Sequence, residues 1–185
     1  MVALSSGADV ERALTTIVTP IGEMVAAATK THLVLFEFGH RRMLPLQLQR
    51  LEAALGNELV AGESAIIAQL RRELDEYFRG ERREFEVPLY APGTPFQMKV
   101  WSELLRIPVG TTTTYSLVAA AIGHPSAVRA VARANGDNRI AILIPCHRVI
   151  GSDGSLTGYG GGRWRKKKLL DLEARSTELQ LDLSS

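Results

Sequence analysis

The only cysteine of the chain, Cys146, stands among residues that can change the reactivity of a thiol. Pro145 precedes it, and His147 and Arg148 follow it. A thiol of ordinary pKa is only a few per cent ionised at neutral pH, so a nucleophilic cysteine needs a nearby base or positive charge. Taken from these residues alone, Cys146 is open to two interpretations: a nucleophile, or the small buried hydrophobe that an isolated cysteine usually is.

His147 is the candidate base, although its place in the chain limits how it can reach the sulfur. Neighbouring residues of an extended chain point to opposite faces, so we expect contact with Cys146 only through a bend or a bridging water. An imidazole base also needs an orienting partner, and Glu173 on the last predicted helix is a candidate. With one Cys and four scattered His, the chain is predicted to hold neither a disulfide nor a metal, and it fits a reducing compartment.

The elements that would position these residues form two parts, divided at Ala91-Pro92-Gly93. We expect residues 1–90 to form an α/β domain around a small antiparallel sheet, because short strand-like segments there are interspersed with two helical patterns. The N-terminal segment lacks the basic and apolar regions of a secretory signal. The predicted strands are 15–18, 23–29 and 33–38, the helices are 45–55 and 63–78, and 85–90 is a strand or extended segment.

Residues 91–175 predict a mostly helical domain that contains a helix-turn-helix. Thr94 and Thr114 are the predicted N-caps of its first two helices. The next helix starts near Pro125, ends near Asn135 and presents small and basic side chains on one face, which would let it approach DNA closely. That outer face comprises Arg129, Ala130, Arg133 and Ala134.

Three further segments complete the predicted domain. A buried strand at 141–144 leads to Cys146, a last helix spans about 163–174, and residues 176–185 form a mobile tail. The side chains expected to face inward on the first two helices of the domain are Val100, Trp101, Leu104, Leu105, Leu117, Val118, Ala121 and Ile122.

Charge is divided unequally between the two parts. Residues 111–168 carry nine Lys or Arg and two Asp, a net charge of +7, whereas the rest of the chain has thirteen basic and eighteen acidic residues, a net charge of −5. A basic domain joined to an acidic one is typical of nucleic-acid binding, but a solvated Arg/Lys face gives the same pattern. The chain has no apolar run near the ~20 residues of a membrane helix, so we expect no membrane partner.

The segment Ile144-Pro145-Cys146-His147-Arg148-Val149-Ile150 resembles the active-site signature of the O6-alkylguanine-DNA alkyltransferases. The likeness is dense from Gly93 to Glu173 and looser before Tyr90, where only the order of strands and helices is similar. The other matching segments are Phe96-Gln97, Val100-Trp101, Pro108-Val109-Gly110, Tyr115, Arg129-Ala130-Val131, Ala134-Asn135-Gly136-Asp137-Asn138, Thr157-Gly158-Tyr159 and Leu169-Leu170.

The resemblance implies a fold and an activity. The fold is an N-terminal ribonuclease-H-like α/β domain followed by a mostly α C-terminal winged helix-turn-helix domain. The activity is direct reversal of DNA alkylation damage, in which Cys146 irreversibly takes the alkyl group from O6 of guanine, with O4-alkylthymine as a candidate second substrate. Such a protein reacts once, needs no cofactor and has double-stranded DNA containing O6-alkylguanine as its partner.

The resemblance also implies the catalytic residues. Cys146 is the nucleophile, and His147, through a water, and Glu173 raise its thiolate character. Asn138 holds the turn that joins the recognition helix to the active-site segment. Tyr115 rotates the target phosphate and donates a proton to N3 of guanine, a task that suits a phenol of pKa near 10.

Further implied residues bind DNA or line the pocket. Arg129 enters the base stack and replaces the target base, which must be flipped out because its reactive atom is hidden within the duplex. The backbone carbonyls of Cys146 and Val149 accept from the exocyclic amine and so identify guanine. The other DNA contacts are Tyr115, Ser116, Ala130, Arg133 and Ser152, and the pocket residues are Val149, Leu156, Tyr159 and Gly160.

Two positions depart from the family pattern. Some members have a serine in place of Gly160, and its hydroxyl can contact O6, whereas Gly160 offers only a backbone N–H. His124 stands before Pro125 where the family often has Asn, so we expect a weaker helix cap there.

Two other functions fit part of the sequence. Alkyltransferase-like proteins share this architecture and flag damage without repairing it, but they replace the cysteine, so Cys146 argues against a non-catalytic damage sensor. A cysteine hydrolase built on Cys146, His147 and Glu173 would leave the basic helix-turn-helix without a purpose. We expect a monomeric, cytoplasmic protein associated with DNA.

Overall fold

The computed structural model describes residues 12–183 of the chain. Its first half contains a four-stranded sheet in the order β3-β2-β1-β4, in which β1 and β2 pair antiparallel, as do β2 and β3, and β4 joins β1 in parallel. The prediction of an antiparallel sheet is therefore correct for three strands. The N-terminal segment, for which no secretory signal was predicted, lies outside the described residues. The strands are β1 (Ala13–Thr19), β2 (Gly22–Ala28), β3 (Leu33–Phe38) and β4 (Val60–Ala61).

Two helices of this half, α1 (Leu44–Leu55) and α2 (Ala65–Phe78), lie near their predicted positions. α2 begins at residue 65 because Ser64 is its N-cap and accepts a hydrogen bond from the backbone N–H of Ile67. Its apolar stripe packs into the core that includes the buried face of β3. The buried side chains of α2 are Ile66, Ile67, Leu70, Glu73, Leu74 and Tyr77.

The open edge of β3 receives two segments from later in the chain. Leu33 exchanges backbone hydrogen bonds with the stretch 88–90, which makes only a single bridge and not the full strand that was one prediction. Phe36 donates to the carbonyl of Arg139 at 2.8 Å and accepts from the N–H of Ala141 at 2.7 Å. The segment that leads to Cys146 is therefore bonded directly to the N-terminal sheet.

The second half consists mainly of helices. Thr94 caps the first of them in a reciprocal capping box with Gln97, and Thr114 caps the second by accepting from the N–H of Leu117, so both predicted caps are confirmed. A short parallel pair of strands joins the segment before the second helix to the segment after the cysteine. The elements are α3 (Pro95–Leu104), β5 (Thr113–Thr114), α4 (Tyr115–Ala121), α5 (Val128–Gly136), β6 (Val149–Ile150) and α6 (Arg163–Leu183).

Several predicted boundaries and faces in this half are wrong. α5 begins at Val128, after a turn, and not near Pro125. Ala134 is buried and does not belong to the outer face, because the short α5 packs against both α3 and α4. α6 continues to Leu183, so residues 176–183 extend the helix where a separate tail was predicted, and the last two residues lie outside the described part. The predicted inward residues Leu105, Leu117 and Ala121 are exposed.

The segment 141–144 is buried as predicted, but it is a turn and not a strand. The N–H of Leu143 donates to the carbonyl of Ala141 at 2.9 Å, and Ile142 between them has a φ of 72°. This is the γ-turn with positive φ, which is rare and strained, especially for a β-branched residue. A strained backbone held by its surroundings next to the only cysteine is typical of a functional site.

Candidate active site

Two successive turns place the cysteine. Pro145 has φ −81° and ψ 59°, and the N–H of Cys146 donates back to the carbonyl of Ile144 at 2.8 Å, which makes an inverse γ-turn. A single 3-10 turn, Cys146–Arg148, follows. The chain is therefore bent here and not extended, so the expectation that adjacent side chains point to opposite faces does not apply.

The thiol of Cys146 is shielded from solvent, with only 6% of the residue exposed. Burial raises the pKa of Cys146 to about 11, although the hydrogen bond from Asn138 and the charges of Arg41 and Lys166 act in the opposite direction. At neutral pH the resting thiol is therefore protonated. This direction is opposite to the raised thiolate character that the resemblance implied, so formation of the thiolate requires a base.

Asn138 organises the turn around the sulfur. Its side-chain oxygen accepts from the N–H of Ile140 at 2.9 Å, and its amide nitrogen donates to the carbonyl of Ile144 at 2.9 Å and to Sγ of Cys146 at 3.1 Å. Because an N–H donor stabilises a thiolate more than a thiol, Asn138 favours the reactive form as well as the turn. The amide of Asn135 also donates to the carbonyl of Cys146, at 3.4 Å.

His147 is fully buried and forms a pair with Glu173, in which His147 Nε2 lies 2.8 Å from Glu173 Oε1. Burial lowers the pKa of His147, so the resting imidazole is neutral. An ionised carboxylate only accepts hydrogen bonds, so the proton lies on Nε2 and the lone pair on Nδ1. Within residues 12–183 this buried Nδ1 has no hydrogen-bond partner, and it is free to act as a base.

Glu173 is the centre of a larger buried network. Arg148 donates to both of its oxygens at 2.9 Å, and the hydroxyl of Tyr77, from the N-terminal half, donates at 2.8 Å. Burial alone would raise the pKa of Glu173, but hydrogen bonds and charges from His147 and Arg148 outweigh it and hold the pKa well below its ordinary value. Glu173 is therefore a carboxylate at every working pH and can stabilise an imidazolium.

Tyr115 faces the same site from the start of α4. Its hydroxyl donates to the carbonyl of Thr157 at 3.2 Å. Burial raises the pKa of Tyr115, so the phenol keeps its proton. Gly158 has a φ of 74°, and a Cβ there would lie 2.7 Å from the Tyr115 oxygen, so only glycine fits this close approach.

Lys166 differs most from its prediction, because it was counted among the surface charges and is fully buried. Its ammonium donates to the carbonyl of Val149 at 2.6 Å and to that of Thr157 at 2.9 Å. Burial lowers the pKa of Lys166 to about 8. Lys166 thus ties the segment after the cysteine to the loop that Tyr115 contacts.

The predicted pocket residues differ in exposure. Val149 is buried, Leu156 and Tyr159 are half-buried, and Gly160 is exposed. The hydroxyl of Tyr159 has no partner within the described residues, and its ring lies 6.5 Å from that of His147. The structure therefore brings this loop against the cysteine and its base.

The predicted DNA contacts lie on α4, on α5 and after β6, and all of them except the half-buried Tyr115 are exposed. Exposed members are Ser116, Arg129, Ala130, Arg133 and Ser152. Arg148 and Lys166, in contrast, are buried, so the +7 charge of residues 111–168 overstates what this surface can present to phosphates.

Sequence reasoning missed the site roles of Lys166, Tyr77, Asn135 and Arg41. The helical spacing could have predicted that Lys166 is buried. Lys166 stands three residues before Leu169 and seven before Glu173, so it lies on the same buried face of the helix. Tyr77 likewise stands seven residues after the buried Leu70. No local pattern identifies the role of Arg41 at the site, because the two carbonyls to which it donates, those of Gly136 and Asn138, are about a hundred residues away.

The described residues contain no helix that is long and apolar enough to cross a membrane. They also contain no group of three or more His, Cys, Asp or Glu side chains that could hold a metal ion.

Two family descriptions match almost the whole chain. Residues 14–91 match "6-O-methylguanine DNA methyltransferase, ribonuclease-like domain", and residues 95–175 match "6-O-methylguanine DNA methyltransferase, DNA binding domain". The predicted fold class is confirmed in these terms.

Individual relatives agree. The constitutive methylated-DNA–protein-cysteine methyltransferase of Bacillus subtilis is 41% identical over 160 residues, covering 84% of this chain and 91% of the relative. The enzyme of Mycobacterium tuberculosis is 54% identical over 111 residues, covering 60% and 67%. The crystal structure of Mycobacterium tuberculosis OGT in complex with DNA is similar with a TM-score of 0.76 at 40% identity, covering 89% of this chain and 94% of that one.

Proposed function

The chain belongs to the 6-O-methylguanine DNA methyltransferase family, and on that premise we propose how its residues carry out the reaction. The protein repairs alkylated DNA by direct reversal, as a methylated-DNA–protein-cysteine methyltransferase. The observation that carries the mechanism is the arrangement of three side chains around the thiol. Asn138 donates to the buried sulfur of Cys146, and the neutral His147 has its Nε2 bonded to Glu173, which leaves its Nδ1 available as a base. This arrangement can generate a nucleophile on demand while the resting thiol stays protonated.

In the proposed step the sulfur of Cys146 attacks the alkyl carbon, an S–C bond forms and the C–O6 bond breaks. The thiol proton passes through a water to Nδ1 of His147, and the carboxylate of Glu173 stabilises the imidazolium. Tyr115 gives its proton to N3 of the leaving guanine, and its tyrosinate is reprotonated when the imidazolium of His147 releases the proton that came from the thiol. The net reaction moves one alkyl group to sulfur and one proton to guanine.

Recognition of guanine falls to backbone carbonyls whose positions the network fixes. The carbonyl of Val149 accepts a hydrogen bond from Lys166 and has a second lone pair, whereas the carbonyl of Cys146 already accepts from the amide of Asn135 and from the N–H of Val149. Under this proposal the second lone pair of Val149 accepts from the exocyclic amine of a flipped guanine, and Cys146 can accept from it only in exchange for one of its two donors. Base flipping, a helix-turn-helix made by α4 and α5, a monomeric state and a cytoplasmic location are parts of the same proposal.

The test is the mass of the intact protein after incubation with methylated duplex DNA. Transfer adds one methyl group, and peptide mapping should place it on Cys146. Unchanged mass with tight DNA binding would instead support a damage sensor, and turnover of an ester or peptide would support a hydrolase.

Arg129 is expected to act in base extrusion. It is exposed on the outer face of α5, where it can enter the base stack. Extrusion costs a few kcal/mol, so Arg129→Ala should slow repair of duplex DNA by about tenfold or more while leaving transfer from free O6-benzylguanine nearly unchanged. Arg79→Ala, which removes an exposed arginine of the N-terminal half, is the control. Equal losses on both substrates would exclude the extrusion role.

Neighbouring lysines of α6 should behave differently in DNA binding. Lys167 and Lys168 are exposed, whereas Lys166 is buried. Each phosphate contact contributes about −0.9 to the slope of log affinity against log salt, so removing both exposed lysines should reduce that slope by at most about 2. Lys166→Ala should leave the slope unchanged and slow alkyl transfer, because the carbonyls of Val149 and Thr157 lose their donor. A reduced slope for Lys166→Ala would contradict the assignment.

A further inference from the structure

Arg41, in the turn after β3, crosses from the N-terminal half to the C-terminal half. Its guanidinium donates to the carbonyl of Asn138 at 3.2 Å and to the carbonyl of Gly136, the last residue of α5. It also forms an ion pair with Glu37, which lies on β3 and is 1% exposed. A positive charge at this end of α5 complements the helix dipole as well as the two free carbonyls.

The guanidinium of Arg41 also fills the space that a side chain at position 160 would occupy. A Cβ on Gly160 would lie 2.6 Å from Cζ of Arg41 and 2.9 Å from its Nη2, closer than such atoms approach each other in proteins. The φ of Gly160 is not in the left-handed region, so a larger residue here is opposed by the position of the Arg41 guanidinium and not by backbone conformation. Gly160 and Arg41 are therefore a matched pair, in which a side chain at position 160 requires the guanidinium to move.

Arg41 reaches the nucleophile through Asn138. The backbone of Asn138 accepts from Arg41, and its side chain donates to Sγ of Cys146. The charges of Arg41 and Glu37 also act on the thiol in opposite directions, since Arg41 lowers the pKa of Cys146 and Glu37 raises it. Loss of Arg41 alone would leave a buried carboxylate unpaired near the sulfur.

We propose that Arg41 is a positioning residue for alkyl transfer, whose guanidinium stands in place of a side chain at position 160 and locks the Asn138 turn against Cys146. The inference rests on the transfer reaction proposed above. Arg41 has a side chain only 13% exposed, so it acts on the chemical step and not on DNA binding. A misplacement of about 1 Å in a catalytic group costs on the order of a hundredfold in rate, which sets the scale of the effect.

The first test compares single variants in single-turnover reactions with saturating methylated duplex DNA. Arg41→Ala should slow the first-order transfer step by about tenfold to a hundredfold, without weakening DNA affinity. Free O6-benzylguanine should be slowed as well, unlike with Arg129→Ala. Arg41→Lys should recover only part of the rate, because one ammonium cannot replace a planar fork that contacts two carbonyls and a carboxylate. Arg42→Ala, the exposed neighbour, is the control and should react at the wild-type rate.

The second test is a double-mutant cycle with position 160. Gly160→Ser alone should slow transfer, because its Cβ meets the guanidinium. In the Arg41→Ala background the same serine has room, so the double variant should react faster than the product of the two single effects predicts. Repeating the cycle in a Glu37→Gln background removes the carboxylate that Arg41→Ala leaves unpaired, so any loss due to that charge is excluded. Thermal unfolding of each variant distinguishes a loss of transfer rate from a loss of stability.

Independent, multiplicative effects of the two substitutions would overturn the matched pair. A wild-type transfer rate for Arg41→Ala would overturn the positioning role. Neither result would contradict the proposed function, which is refuted only if the wild-type protein itself takes up no methyl group.

Discussion

With methylated duplex DNA in excess, we expect each molecule of the protein to repair one guanine and then stop. The chain has no second cysteine to which the methyl group could pass. Transfer converts the thiol of Cys146 into a thioether, which has no leaving group that water displaces under mild conditions. A plot of guanine repaired against protein added should therefore reach its plateau at one equivalent.

Two companion results should accompany that plateau. Cys146→Ser should bind damaged DNA and transfer nothing, because a serine hydroxyl is hardly ionised at neutral pH. The methylated protein should unfold at a lower temperature than the unreacted protein, since an added methyl in so buried a site overpacks it at a cost of about 1–3 kcal/mol. A plateau well above one equivalent would show turnover, and a label on any other residue would refute the site.

Glu173→Gln is expected to have the largest combined effect on rate and stability. The substitution removes the anion that faces Arg148, and breaking one side of a buried ion pair costs about 3–5 kcal/mol. It also removes the charge that stabilises the imidazolium of His147, so transfer should slow by about a hundredfold or more, within the range of general-base catalysis. The pH–rate profile should shift to higher pH, because the thiolate–imidazolium pair loses the carboxylate that stabilises it and the apparent pKa of Cys146 therefore rises. DNA affinity should be nearly unchanged.

The pH dependence of stability gives an independent check. The folded pKa of Glu173 lies well below its unfolded value of roughly 4.3, so its stabilisation is fully present above that pH and is lost as pH falls through the folded pKa. The difference in unfolding free energy between wild type and Glu173→Gln should therefore be largest at neutral pH and shrink below about pH 4. Asp171→Asn, on the same helix and paired at the surface with Lys167, should cost at most about 1 kcal/mol. An unchanged pH–rate profile would remove Glu173 from catalysis.

Features determined by neighbouring residues could be predicted from the sequence. The caps at Thr94 and Thr114 depend on residues three positions away, and β1 to β3 are short runs rich in apolar and β-branched residues. The segment 141–144 could not be read in this way. Its apolar residues suit a buried strand, but Asn138 and the edge of β3 hold it in a strained turn that no local preference favours.

The active site shows the same difference between local features, which the sequence predicts, and long-range contacts, which it does not. The signature around Cys146 predicts the nucleophile and its base, while several partners that affect their charge come from distant parts of the chain. Lys166 looked like one of a run of surface lysines, and only its helical register with Leu169 and Glu173 indicates burial. Tyr77 and Arg41 contribute from the other half of the molecule, so their roles emerge only once the two halves are docked.

The burial of Cys146 has a consequence for the time between synthesis and use. A protein that can react once must keep its thiol intact until it meets damage, in a medium that contains peroxides and free electrophiles. Oxidation and alkylation by small reagents follow the thiolate and its accessibility, and a resting thiol with a pKa of about 11 and 6% exposure offers little of either. The same enclosure that makes the reaction depend on a base thus extends the period over which the protein remains able to react.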